Sequence, residues 1–286
     1  MSLSAESSLV ELLRRDIPAF NAQRGKRPSL RGADLRELEL ADALIEGADL
    51  TGADLSGARV DGSQLARCRL EHTRLDGVRI DGFWIAMVDR IQLLWRGVEA
   101  WTAAAIEGPV DLTGADFSGA NLAGLVLNSA LMGLVRLEGA DLRGALLRNA
   151  DLDDANLRGA QLDGATIAFS RLPGADLDGA RLDGAHVRHC GLEGATARGA
   201  SFATARIDGG NWARCDLGGA RFDGATISRT MLNGAALIGT SFRGTSLSEV
   251  SFVATDTSRA DFTGAQFEDC ADVATLEGGP PFDPRR

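Results

Sequence analysis

Tyrosine is absent from this 286-residue chain, and all aromatic residues together make up only 5% of it. A globular core of this length ordinarily uses more large rings, so the interior has to be filled another way. No run of about 18 apolar residues occurs, so no membrane-spanning helix and no membrane partner are expected. The four cysteines are tens of residues apart and lack any Cys-X-X-Cys spacing. They read as neither a secreted disulfide framework nor a metal set. Basic residues are outnumbered, 30 against 40 acidic ones, for a formal net charge of −10. That balance argues against a surface built to grip phosphates, and direct nucleic-acid binding is not expected. Glu6, Glu11 and Asp16 interrupt the first thirty residues, so no signal peptide is expected and the default location is cytoplasmic. No phosphate loop, dinucleotide fingerprint or nucleophile elbow is present. The chain reads as a non-enzyme with no cofactor.

What is present is a repeat. Apolar residues fall on every fifth position from Leu30 to Ile80, and again from Leu112 to Phe267, where only Thr257 is polar. The residue two before each such centre is small in nearly every unit. Gly is frequent two residues after it, as in Ala-Asp-Leu-Thr-Gly at 48–52. A step of five matches neither the 3.6 of a helix nor the 2.0 of a strand. It matches a chain that turns a corner every five residues, sending one large and one small side chain inward. Gly suits the corner because it tolerates positive φ. Residues twenty apart segregate by type: Phe202, Phe222, Phe242 and Phe262 form one column, and Ile167, Val187, Ile207 and Ile227 another.

The pattern resembles the pentapeptide-repeat family, whose unit is Ala-(Asp/Asn)-Leu-X-X. Copies stand at Ala33-Asp34-Leu35, Ala53-Asp54-Leu55, Ala120-Asn121-Leu122, Ala155-Asn156-Leu157 and Ala260-Asp261-Phe262. The resemblance implies an all-β solenoid: a right-handed quadrilateral parallel β-helix with four units per coil. With coils stacking at about 4.8 Å, the expected rod is roughly 50 Å long. Here it carries an N-terminal helical cap and one helical insertion. The layout reads as a cap over 1–27, a first repeat block over 28–82, an insertion over 83–109, a second block over 110–270 and a tail over 271–286. In the cap, Leu9, Leu12, Leu13, Ile17 and Phe20 fall at helical spacing, with Pro18 expected to end or kink the helix. In the insertion, Trp84, Val88, Ile91, Trp95 and Val98 do the same. The tail, with Gly278-Gly279-Pro280-Pro281, reads as extended.

The register assigns each unusual side chain a direction. Cys68, Cys190, Cys215 and Cys270 occupy the small inward position, where a thiol behaves as a small hydrophobe. His72, His186 and His189 point outward; a surface metal pair at His186 and His189 is the weaker alternative to solvated side chains. Val126, Leu131, Leu134 and Leu146 also point outward, and the insertion helix is expected to cover them. Met231, Ile238 and Val253 form a second outward apolar group with no local cover, which makes them a candidate interface.

The resemblance also bears on function. The best-understood activity in the family is protection of DNA gyrase and related type II topoisomerases from inhibitors, by rods of DNA-like width and acidic surface. It implies a protein partner, with DNA gyrase or topoisomerase IV the candidate, and antibiotic resistance or self-resistance through partial DNA mimicry. Duplex DNA carries about 30 charges over 50 Å, whereas the faces of the second block are only weakly charged. The first block is more polarised: Asp34, Glu37, Glu39, Asp42, Glu46, Asp49 and Asp54 oppose only Arg36 within 33–57. These carboxylates are the candidate contact. A homodimer is possible, but 271–286 lacks the C-terminal helix through which some relatives pair. The alternative is a scaffold for an unrelated protein partner, bound through the insertion or the exposed apolar patches.

Overall fold

The computed structural model describes residues 5–80, 82–103 and 109–272, and the tail from 273 to 286 lies outside them. The chain forms two compact units, Met1–Glu107 with Gly114–Phe117, and Gly108–Thr113 with Ser118–Arg286. Both contain right-handed quadrilateral parallel β-helix, and no helix among the described residues is long and apolar enough to cross a membrane.

The first unit opens with two helices, α1 (Ala5–Arg15) and α2 (Ile17–Gln23). Pro18 does not end a helix. The break falls at Asp16, whose carboxylate caps α2 by accepting the Ala19 N–H at 2.9 Å, and Pro18 sits in the first turn of α2. A missing N–H costs nothing there, because that amide has no partner within the helix. Phe20 is fully buried. Three short coils follow. β1 (Glu39–Leu40) pairs in parallel with β2 (Arg59–Val60), and bridges join Ser29 to Asp49 and Asp49 to Arg69. At Leu65 the repeat gives way to one helical turn, α3 (Gly62–Leu65), capped by Asp61, yet Leu65 stays buried.

The insertion forms α4 (Gly82–Trp95) and α5 (Val98–Ala103). Met87, Val88, Ile91, Leu94 and Trp101 are buried. Within this unit Gln92 Nε2 donates to the Thr73 carbonyl at 3.0 Å, and the Arg69 guanidinium lies 5.2 Å over the Trp95 ring. Trp95 in turn meets Phe117 at 5.9 Å. Within this unit the insertion thus meets residues on both sides of it in sequence, Arg69 and Thr73 before it and Phe117 after it. Of the four outward apolar residues of the second block, Val126, Leu131 and Leu134 are exposed at 46–59% and Leu146 is half-buried.

In the second unit seven strands stack in sequence order: β3 (Leu146–Arg148), β4 (Thr166–Ala168), β5 (His186–Arg188), β6 (Arg206–Asn211), β7 (Thr226–Met231), β8 (Ser246–Ser248) and β9 (Gln266–Glu268). Each pairs with the next at a register of twenty residues, as in Ile167 to Val187 and Ile207 to Ile227. The other faces repeat this step through single bridges, such as Asp141 to Gln161 to Arg181. The corner after Leu177 is representative. The Ala180 N–H donates to the Leu177 carbonyl at 2.9 Å, and Gly179 between them takes φ 67°. Meanwhile Leu177 and Gly179 donate to Thr196 and Arg198 of the next coil. Backbone polar groups are thus paired by the turn or by neighbouring coils. The four phenylalanines stack as a single interior column, centroids 4.8–4.9 Å apart and planes within 6° of parallel. That separation is the spacing between adjacent strands.

Candidate functional site

The family position before each centre carries a backbone duty that composition alone does not reveal. The Asp49 carboxylate accepts the Thr51 N–H at 3.0 Å and the Thr51 hydroxyl at 2.5 Å. Asp54 does the same for Ser56, and Asp34 accepts the Arg36 N–H at 3.3 Å. In the second unit Asn156 and Asp176 hold Arg158 and Asp178 in the same way. An Asp or Asn at this place satisfies the first amide of the corner, as in an Asx-turn. Three of the seven candidate carboxylates therefore begin as structural groups.

Arginines from other parts of the first unit meet most of them. Arg36 grips Asp34 through two hydrogen bonds of 2.8 Å, and Arg14 of α1 stands 3.8 Å away. Arg36, then its backbone N–H, hold the Asp34 carboxyl well below the usual range. Ser56 lowers Asp54, which also faces Arg74 at 3.6 Å. Asp49 pairs with Arg31 at 3.0 Å. Burial is the largest single influence on Asp49 and pushes its pKa up, but Thr51 and Arg31 together outweigh it and hold it low. Glu39 reaches Arg79 at 2.7 Å and Glu46 reaches Arg67 at 2.8 Å. Among the described residues only Glu37 and Asp42 of the seven have no ion pair. Glu37 occupies a left-handed corner, φ 59°, and its carboxylate lies where a side chain at Gly57 would otherwise stand.

The acidic strip is held by the cap. Asn21 of α2 donates from Nδ2 to the Asp42 carbonyl at 3.0 Å and accepts the Leu44 N–H at 2.8 Å. Leu44 is 45% exposed and stands between Asp42 and Glu46. It went unnoticed in the sequence, although it occupies a position where the repeat places Asp or Asn. Glu39, Asp42, Leu44 and Glu46 thus present mixed acidic and apolar chemistry on a backbone pinned from behind.

The second candidate group lies in the other unit. Met231, Ile238 and Val253 are each 43–53% exposed. Met231 and Val253 fall on one face in successive coils, as the pairing of Met231 with Ser251 requires, and Ile238 lies on the next face. Phe169 was also missed. It is 54% exposed at a left-handed corner and stacks on His189 at 5.2 Å. Among the described residues no group of three or more His, Cys, Asp or Glu side chains is arranged to hold a metal. The four cysteines are buried, each with Sγ facing a carbonyl of the preceding coil.

A search of the curated proteins finds no match. Among solved structures the chain is similar to QnrB1, a plasmid-mediated fluoroquinolone resistance protein. Identity is 19%, coverage 56% of this chain and 84% of that one, and the TM-score 0.46. It is also similar to HetL, a pentapeptide repeat protein involved in heterocyst differentiation regulation in the cyanobacterium Nostoc sp. strain PCC 7120. There identity is 24%, coverage 87% and 89%, and TM-score 0.27. A pentapeptide repeat protein of the Arabidopsis thaliana thylakoid lumen is 31% identical over 36% of this chain and 70% of its own, with a TM-score of 0.28. The family model described as pentapeptide repeats matches in 8 copies, from 29–65 and 43–82 through 130–167 to 236–270. These matches span more than half of the sequence, and the chain belongs to the pentapeptide-repeat family.

Proposed function

We propose that this protein is a non-catalytic binding protein of the cytoplasm that engages DNA gyrase or another type II topoisomerase and protects it from an inhibitor. The observation that carries the reading is the pinned strip Glu39–Glu46, where exposed carboxylates and Leu44 stand on a backbone held by Asn21. A basic DNA-binding surface is the complement of such a strip, and opposite charge speeds encounter between them. Family membership supplies the candidate partner. The non-catalytic part of the reading is supported by what the carboxylates do, since most of them hold corners or arginines. Ion pairing weakens the mimicry of DNA, because Arg31, Arg67, Arg74 and Arg79 offset charge that a count over 33–57 leaves bare.

The test is a gyrase supercoiling assay with and without a topoisomerase poison. Added protein should preserve supercoiling in the presence of the poison. The triple substitution Glu39→Lys, Asp42→Lys and Glu46→Lys should remove that effect, and raised salt should mimic the loss. Equal protection by wild type and triple variant, or by neither, overturns the reading. The alternative, a scaffold for an unrelated protein, is favoured by the exposure of Met231, Ile238 and Val253 in the other unit. It predicts that substituting these three with Ser abolishes partner binding while the acidic strip is dispensable.

A further inference from the structure

The coil-to-coil ladder of the first unit stops at its third coil. In the second coil the N–H groups of Leu55, Gly57 and Val60 donate to the carbonyls of Arg74, Asp76 and Arg79 at 2.9, 2.9 and 3.2 Å, and the Ala58 carbonyl accepts the Arg79 N–H at 2.8 Å. One coil later the corresponding groups are the N–H of Leu75, Gly77 and Ile80 and the carbonyl of Val78. Among the described residues none of these four groups has a partner. The side chains change with them: Leu55, Ala58 and Val60 are buried, whereas Leu75, Val78 and Ile80 are half-buried. The insertion does not take the place of a fourth strand. Gln92 accounts for the Thr73 carbonyl, and a groove of 390 Å³ remains between residues 74–80, Val88 and Asp89 of α4, and Arg96 just after it.

An open strand edge is a template for another chain. We propose that this edge binds a short extended segment of a partner protein, added in parallel as a further strand. Three carbonyls and one N–H of such a segment meet the four open groups, in the order in which the third coil meets the second. Leu75, Val78 and Val88 supply apolar surface for one inward side chain. Charge sets the rest of the partner's chemistry. Arg74 is engaged by Asp54 and Asp76, whereas Asp89 and Arg96 have no ion pair among the described residues. Asp89 and Arg96 stand two helical turns apart, roughly 10 Å. That is the length of about three residues of extended chain. Gln92 meets Thr73 and α4 starts just beyond Ile80, so Asp89 lies towards the Ile80 end of the edge and Arg96 towards the Thr73 end. A parallel segment is complementary when an acidic residue precedes a basic one by about three positions. This inference does not depend on the topoisomerase reading, since Glu39, Asp42 and Glu46 lie outside the groove.

The probe is the synthetic peptide Thr-Arg-Leu-Asp-Gly-Val-Arg-Ile. It copies residues 73–80, which lie on the equivalent edge of the second coil and carry Asp before Arg at the required step. In the full chain without peptide, hydrogen exchange should be fast at the amides of Leu75, Gly77 and Ile80 and slow at those of Leu55, Gly57 and Val60. Saturating peptide should slow the first three at least about tenfold and leave the second three unchanged. Exchanging the Asp and the second Arg of the peptide should weaken binding at least about threefold, and the double variant Asp89→Arg with Arg96→Asp should reverse that preference. Asp89→Trp, at an exposed position on the groove wall, should block both peptides while Leu55, Gly57 and Val60 keep their protection, which separates a filled groove from lost folding. No binding of the peptide to wild type up to about 1 mM would overturn the proposal. So would protection of Leu75, Gly77 and Ile80 in the free chain, binding that leaves their exchange unchanged, an unreversed charge preference, or binding indifferent to Asp89→Trp.

Discussion

The Sγ of Cys215 lies 2.9 Å from the carbonyl oxygen of Leu192, twenty-three residues earlier. The hydroxyls of Thr240 and Thr245 take the equivalent place against Leu217 at 2.8 Å and Phe222 at 2.7 Å. The small inward position is therefore a donor site as well as a gap filler. Burial pushes the Cys215 thiol up to about 12. The thiolate is the reactive form, so native Cys215 should be inert near neutral pH. A maleimide should label none of the four cysteines in the folded protein and all four in denaturant. Cys215→Thr should fold with native stability within about 1 kcal/mol, because the hydroxyl can make the same bond. Rapid native labelling of Cys190 or Cys215 would contradict the inward placement.

The phenylalanine column sets the interior energetics of the later coils. Phe222 is stacked between Phe202 and Phe242 and also meets Trp212 at 6.4 Å. Truncation to Ala should cost about 3–5 kcal/mol, read by urea denaturation. Phe222→Leu restores the residue that the same column uses at Leu162 and Leu182, and should cost below about 1.5 kcal/mol. Equal losses for the two variants would mean that ring stacking, not volume, dominates this column.

Acid sensitivity follows from the corner carboxylates. Asp261 accepts the N–H and hydroxyl of Thr263, and these bonds lower its pKa to about 2. Asp54 and Asp256 are lowered by Ser56 and Ser258 in the same manner. A folded pKa below the unfolded value gives stability that is present above about pH 4 and lost as pH falls towards 2. Asn serves the same backbone bond at Asn121, Asn156 and Asn211. The triple variant Asp54→Asn, Asp256→Asn and Asp261→Asn should fold at pH 7 and lose less stability than wild type on acidification. Thermal melts from pH 5 to pH 2 would reveal parallel curves if these groups were irrelevant.

The five-residue step made the coils, the Phe column and the inward cysteines legible, because each rests on a periodicity that one chain displays in full. What lay hidden depended on neighbours that register alone does not select. Asp54 and Arg74 are twenty residues apart and Arg79 reaches Glu39 across forty, so a window over 33–57 overstated the bare charge. Leu65 kept its buried place while its backbone became helical, since α3 preserves the inward side chain and changes only the path. The docking of α4 could not be read from its own amphipathic pattern, which specifies a face and not a partner. Leu44 and Phe169 were detectable in principle, as apolar residues at positions the repeat reserves for Asp, Asn or Gly.

Asn21 offers a way to separate geometry from charge in the acidic strip. Its side chain bonds both the Asp42 carbonyl and the Leu44 N–H, and it reaches them from α2. Residues 41–44 form no β-bridge; the turn bonds from the Ala43 N–H to the Leu40 carbonyl and from the Ile45 N–H to the Ala43 carbonyl hold the corner, and the two Asn21 bonds tie it to α2. Asn21→Ala removes both and leaves every carboxylate in place. Each bond contributes about 0.5–1.5 kcal/mol net, so local opening of the strip should become roughly ten- to a hundredfold more frequent. Hydrogen exchange at the Leu44 amide should rise accordingly, while amides of the Phe column remain protected. If the strip is the partner contact, protection of gyrase should weaken with the net charge of the protein unchanged. Faster exchange at Leu44 with undiminished protection would show that the partner does not read residues 42–46, and would move the contact to Met231, Ile238 and Val253.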